Sequence, residues 1–216
     1  MNIRRWTIVA SATLLLISIA GPEMALAQVG KSQGLLDANT ASEKELLALP
    51  HVDAKVAKTI LEARPFGSIT ALNKHLLDQK LTQAQANEIY AKAFIHINLN
   101  TATREEILLI PGAGRKMAHE FDEYRPWKTW SQFDKEIGKY VGKKETARLA
   151  QYCFIPLNVN KATDEDLASI PGLTQETIKL IAKGKPWKSI NDLEKELAKT
   201  AGDKEAKRIA RYLVAV

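Results

Sequence analysis

Apolar residues recur along this chain at helical spacing, in short blocks that end at proline. Leu46 and Leu49, Ile107 and Ile110, and Leu167 and Ile170 each stand three apart, on one face of a helix. A hydroxyl residue opens each block: Ser42, Thr103 and Thr163. Glu45 and Glu106 follow the first two at capping-box spacing, and Asp166 gives the third a weaker version. Pro50, Pro111 and Pro171 close the blocks, because proline lacks the N–H that a helix interior needs. A second helical pattern follows each proline, with Val56, Ile60 and Leu61 in the first case and Ile178, Leu180 and Ile181 in the last. Pro65-Phe66, Pro126-Trp127 and Pro186-Trp187 interrupt the chain again. Ser68, Thr129 and Ser189 then fit the N-caps of a third helix. A fourth carries Ile89 and Phe94, Leu149 and Phe154, or Ile209 and Leu213.

The pattern is one unit written three times. Asn39, Asn100 and Asn160 each stand eleven residues before their proline, and the next proline comes fifteen residues after it. The first two copies are offset by 61 residues and the last two by 60. The units run from 36–96, 97–156 and 157–216, with 28–35 as a flexible lead. Ile97-Asn98-Leu99 and Leu157-Asn158-Val159 alternate and are expected to run extended; nothing else suggests strands. The fold class expected is all-α, with about four short helices per unit. A domain of about 60 residues is marginal alone, so contacts between copies are expected.

Residues 1–27 read as an export signal: Arg4 and Arg5, an apolar run from Trp6 to Ala20, then Ala25-Leu26-Ala27 before a cut at Gln28. The apolar run is short of the roughly 20 residues that span a bilayer, so an uncleaved anchor is the lesser alternative. The mature chain is expected in the periplasm or secreted, without a membrane span. No cysteine follows the cut, which disfavours a lipoprotein, and the surroundings of Arg4-Arg5 fit twin-arginine export poorly.

Removing Arg4, Arg5 and Glu23 leaves 29 basic and 24 acidic residues, a mild net charge of +5. Non-specific attraction to nucleic acid would be moderate and salt-sensitive. Cys153 is the single cysteine, so no internal disulfide forms, and a buried inert thiol is expected. His51, His75, His96 and His119 do not stand at metal-ligand spacing. No nucleophile and base are paired, so neither catalysis nor a cofactor or metal is expected. Trp127, Trp130 and Trp187 are expected in the core, with exposed partner anchors as the alternative.

The candidate chemistry lies at Pro111-Gly112-Ala113-Gly114-Arg115-Lys116. Two glycines permit positive φ and close backbone approach. The helix that follows presents unpaired N–H groups and the positive end of its dipole. With two basic side chains this makes a candidate phosphate site, the alternative being an ordinary helix–turn–helix corner with no ligand. Ile97-Asn98-Leu99-Asn100-Thr101-Ala102-Thr103 leading to Ile110-Pro111-Gly112-Ala113-Gly114 resembles the helix-hairpin-helix domain of the competence protein ComEA. The resemblance covers the mature chain in three tandem copies. It implies sequence-independent DNA binding outside the cytoplasmic membrane, through hairpin amides on phosphates, in DNA uptake.

The chain departs from that family pattern. Only the middle copy keeps Gly-x-Gly; the third has Gly172-Leu173-Thr174 and the first His51-Val52-Asp53. Gln175 and Glu176 replace the basic pair in the third, and Asp53 begins the second helix of the first. One competent DNA-phosphate site is expected, at Gly112, Ala113, Gly114, Arg115 and Lys116, with Lys143 and Lys144 as helpers if the second turn lies beside the first. Its affinity should be weak. The rival reading is a non-catalytic periplasmic scaffold for protein partners that has lost DNA binding, since the fold also resembles that of the extrinsic photosystem II protein PsbU.

Overall fold

The computed structural model describes residues 34–216. The expected export signal, residues 1–27, and residues 28–33 of the expected lead lie outside the described residues. Leu35, at the end of the expected lead, is buried in the core instead.

The described chain is mainly helical. One order of elements occurs three times. First come β1 (Leu36–Asp37), α1 (Glu43–Leu47), α2 (Ala54–Ala63), α3 (Ile69–Asp78), α4 (Gln83–Tyr90) and β2 (Ala93–Phe94). Next come β3 (Ile97–Asn98), α5 (Arg104–Leu108), α6 (Arg115–Glu123), α7 (Trp130–Ala150) and β4 (Cys153–Phe154). Last come β5 (Leu157–Asn158), α8 (Asp164–Ala168), α9 (Gln175–Lys183), α10 (Ile190–Ala201), α11 (Asp203–Ala210) and β6 (Leu213–Val214). Gly142 breaks α7 at φ 74°, ψ 167°, so the middle segment follows the same four-helix path.

Of the short strands, β3 and β5 fall on the two stretches expected to run extended, and β1, β2, β4 and β6 are additional to that expectation. β1 pairs β2, β3 pairs β4 and β5 pairs β6, each pair parallel. The four intervening helices supply the crossover that parallel strands require. Each pairing joins the start of a copy to its end: Ile97 N–H donates to the Tyr152 carbonyl and Leu99 N–H to that of Phe154. Two residues per strand are too few to show an alternating pattern, which is why only the stretches at Ile97 and Leu157 were legible.

The caps form as their spacing requires. Ser42, Thr103 and Thr163 each complete a capping box, and Asp166 closes the third as fully as glutamate closes the others. Ser68, Thr129 and Ser189 accept the N–H of the third helical residue of α3, α7 and α10.

The asparagines before these boxes hold each copy together. The Asn100 side-chain amide donates to the Trp127 carbonyl at 2.9 Å and its Oδ1 accepts the Trp127 N–H at 2.6 Å. Asn39 makes the same pair with Phe66, and Asn160 with Trp187. A basic residue just before each proline completes the clamp. Arg64, Arg125 and Lys185 donate to the carbonyls of Ala41, Ala102 and Ala162. The aromatic residue is thereby pinned over its core. Trp127 and Trp130 are buried, and Trp187 is partly buried. Cys153 is fully buried and burial pushes its thiol pKa up, as expected of an inert thiol.

The 61-residue offset holds only for the first half of the first copy. β2 precedes β4 by 60, because the turn between α3 and α4 has one residue more than the break at Gly142. Lys80 sits in that longer turn at φ 71°.

The copies also meet. Buried residues of the first two form one core cluster, with the Phe94 and Tyr152 rings edge to face at 5.0 Å. The third copy has its own core. A buried polar joint ties it back to the first: Asp37 Oδ2 lies 3.2 Å from His96 Nδ1 and accepts from the Tyr212 hydroxyl at 3.4 Å. Burial opposes the Asp37 charge, but His96, the Asn39 amide and Arg208 outweigh it and hold the carboxyl below its usual pKa.

Replacing Asn100 by alanine leaves the Trp127 N–H and carbonyl without partners and should destabilise the chain by about 2–3 kcal/mol, at roughly 1 kcal/mol or more per lost bond. Urea denaturation measures this. A loss below about 0.5 kcal/mol would show that the clamp follows the fold rather than holding it.

Candidate functional site

The three proline turns share one backbone course. The residue after proline takes positive φ in every copy: His51 at 60°, Gly112 at 80° and Gly172 at 72°. The first copy therefore keeps the turn without glycine. A left-handed non-glycine residue costs on the order of 1 kcal/mol, and His51 compensates with a side-chain contact to Glu88 at 2.9 Å.

The other two copies brace the turn differently. Arg148 Nη2 donates to the Pro111 carbonyl at 2.6 Å, while Nε and Nη2 grip Glu145. Arg208 does the same to Pro171 and Glu205. These arginines were missed in the sequence. Their signal was present as Lys144-Glu145-Thr146-Ala147-Arg148 and Lys204-Glu205-Ala206-Lys207-Arg208, a Lys-Glu-x-x-Arg recurrence at the 60-residue offset. Glu88 occupies the arginine's place in the first copy, where it meets His51 instead.

The helix starts beyond the turns are where the copies diverge. Asp53 Oδ1 accepts the Val56 N–H at 2.8 Å, and the Thr174 hydroxyl accepts that of Thr177 at 3.2 Å. Gly114, at the same position before α6, has no side chain and makes no such cap. The equivalent N–H, that of Met117, thus lacks a side-chain acceptor. First-turn amides have no partner within their own helix and carry the positive end of the dipole. Asp53 and Thr174 fill in two copies the position that the middle copy leaves to another acceptor.

The expected site residues are partly brought together. Gly112, Gly114, Arg115 and Lys116 are exposed around the start of α6. Ala113 is buried and its N–H donates to the Ile110 carbonyl at 2.9 Å, so that amide serves the turn. A Cβ at Gly114 would meet nothing within 4 Å, so open space surrounds this position. A Cβ at Gly172 would come within 2.7 Å of Thr40 Cγ2, so the third turn lies against the first copy.

The second turn of the middle copy does approach the first. Lys116 Nζ lies 5.0 Å from the Tyr140 ring centroid, and Arg148 reaches Pro111. Lys144 lines a hollow with Arg148 and Gln151, on the side of the braced turn. Lys143 lines a second hollow with Ser131, Asp134 and Lys135. Among the described residues no group of three or more His, Cys, Asp or Glu side chains is placed to hold a metal ion. No helix among them is long and apolar enough to cross a membrane.

No family model matches the chain. No solved structure matches it. The chain is similar to the zebrafish (Danio rerio) protein named endonuclease/exonuclease/phosphatase family domain-containing protein 1, at 29% identity over 129 residues. The match takes in 46% of this chain and 24% of the zebrafish protein, so the chain spans about a quarter of that relative's length.

Arg148→Ala should cost about 1–2 kcal/mol, because a charged hydrogen bond to a carbonyl is lost. Gly112→Ala should cost a similar amount, through positive φ and a Cβ placed 3.2 Å from Arg148 Nη2. In the double variant the two losses should add to less than their sum, since they share that contact. Full additivity in chemical denaturation would show that the brace and the turn are independent.

Proposed function

We propose that this chain is an exported, ComEA-like protein of three tandem helix-hairpin-helix units that binds DNA weakly and without sequence specificity. The middle hairpin grips the phosphate backbone, and the setting is the periplasm or the cell exterior, in DNA uptake. The observation that carries this reading is the start of α6. It alone of the three equivalent starts lacks a side-chain cap, and it is flanked by exposed Arg115 and Lys116. A phosphate oxygen is the acceptor that such a helix start attracts. Gly114, with open space where a Cβ would stand, lets a DNA strand approach the backbone. Lys143 and Lys144, from the second turn, are the helpers in this reading.

One open start gives weak binding. Asp53 repels phosphate while capping its own helix, and Glu176 stands at the third. The alternative is a non-catalytic scaffold for periplasmic protein partners. It is favoured by the way the outer hairpins are engaged within the chain, through His51 with Glu88 and Gly172 against Thr40. The zebrafish relative's name describes an enzyme-family domain, but the match takes in a quarter of that protein. The proposed role assigns no catalysis, cofactor or metal to this chain.

Fluorescence anisotropy with duplex DNA separates the two readings. Arg115→Ala with Lys116→Ala should weaken binding about tenfold at low salt, evenly across sequences, and lower the salt slope by about two. Circular dichroism must show the variant folded. A wild-type chain that fails to bind duplex at about 50 mM salt, where electrostatic attraction is strong, leaves the scaffold reading standing.

A further inference from the structure

A second cationic site lies away from the middle hairpin, where the third copy faces the first. There a cavity of about 420 Å³ has two unlike walls. One is the turn after α2, with Ala63, Pro65, Phe66 and Gly67. The other is α11 and its end, with Lys204, Lys207, Arg208 and Arg211.

The charges on the second wall are unevenly answered. Arg208 is matched by Glu205 through two hydrogen bonds. Arg211 gives Nη2 to the His96 carbonyl at 2.7 Å and stacks near the Phe154 and Tyr212 rings, but its buried Nη1 has no partner. Arg64, whose neighbours Ala63 and Pro65 line the cavity, does not line it and gives Nη1 to the Ala41 carbonyl at 2.7 Å. Asp37 is the carboxylate whose charge reaches Arg64, and His96 and Tyr212 already hold it. Lys204 and Lys207 are exposed. A buried donor left without an acceptor is costly, so the unmatched Arg211 guanidinium nitrogen, on a residue that lines the cavity with two lysines, marks a place where an anion is stabilised.

We propose that this cavity binds a phosphate monoester carried on a small flat body, as in a nucleoside monophosphate. The doubly charged group meets Lys204, Lys207 and Arg211, whose several donors suit phosphate oxygens better than a single carboxylate would. The body rests on Pro65 and Phe66. Because the walls belong to different copies, the ligand ties the third copy to the first and stabilises the fold by mass action.

Thermal denaturation and calorimetry with AMP and adenosine test this. AMP at about ten times its Kd should raise Tm by about 3 °C, and adenosine should not. Lys204→Ala with Lys207→Ala should lose at least about tenfold in AMP affinity, whereas Arg115→Ala with Lys116→Ala should keep it. The second variant separates this site from the middle hairpin. No response to AMP, an equal response to adenosine, or unchanged affinity in the Lys204 and Lys207 variant overturns the proposal. Competition by a 5′-phosphorylated oligonucleotide, but not by its 5′-hydroxyl form, identifies DNA ends as the source of the phosphate. Absence of that competition, with AMP still bound, identifies free nucleotides.

Discussion

Each copy is held shut by the side-chain amide of one asparagine near its start. Asn39, Asn100 and Asn160 hydrogen-bond both backbone groups of an aromatic residue 27 positions later. That reach spans the first two helices of the copy, so the hairpin between them is closed from outside. The parallel strand pair then joins the same segment to the end of the fourth helix. A copy of this size has little core to spare, and polar groups that recruit the backbone contribute what burial alone does not. The hairpin is then free to vary in its side chains. His51 can stand where Gly112 and Gly172 do because the surrounding contacts over-determine the turn.

That freedom separates the copies at their second helix starts. The same turn leads into three helix starts, two capped by the chain's own side chains and one without a side-chain cap. Losing a glycine did not remove the hairpin geometry. What distinguishes the copies is whether the residue before the second helix brings its own oxygen. Asp53 and Thr174 do, and Gly114 does not. The first and third copies instead contribute a joint, in which Asp37, His96 and Tyr212 meet in a buried cluster.

Much of the helical plan was legible because it rests on short-range chemistry. Proline ends a helix, a hydroxyl three residues before an acidic group begins one, and both recur at a fixed spacing. The conserved course of the turn at His51 was not legible, since histidine gives no sign of positive φ. Of the strands only β3 and β5 were legible, from the alternation at Ile97-Asn98-Leu99 and Leu157-Asn158-Val159; the others were too short to carry a period. The brace by Arg148 was readable only as a recurrence, and its meaning depended on the turn it reaches, 37 residues away. The joint was hidden altogether: Asp37 and Tyr212 stand 175 positions apart, and neither pattern nor spacing relates them. For the candidate site, Gly112, Gly114, Arg115 and Lys116 were found together, Ala113 proved to be spent on the turn, and Lys143 faces another hollow.

The central claim is that one helix start of three takes a phosphate. Amide chemical shifts of the ¹⁵N-labelled chain, followed during titration with duplex DNA, test it most directly. The largest shifts are expected at Gly114, Arg115, Lys116 and Met117, with the Val56 and Thr177 amides almost still because Asp53 and Thr174 already occupy them. Equal shifts at all three helix starts, or shifts confined to residues outside α6, would contradict it.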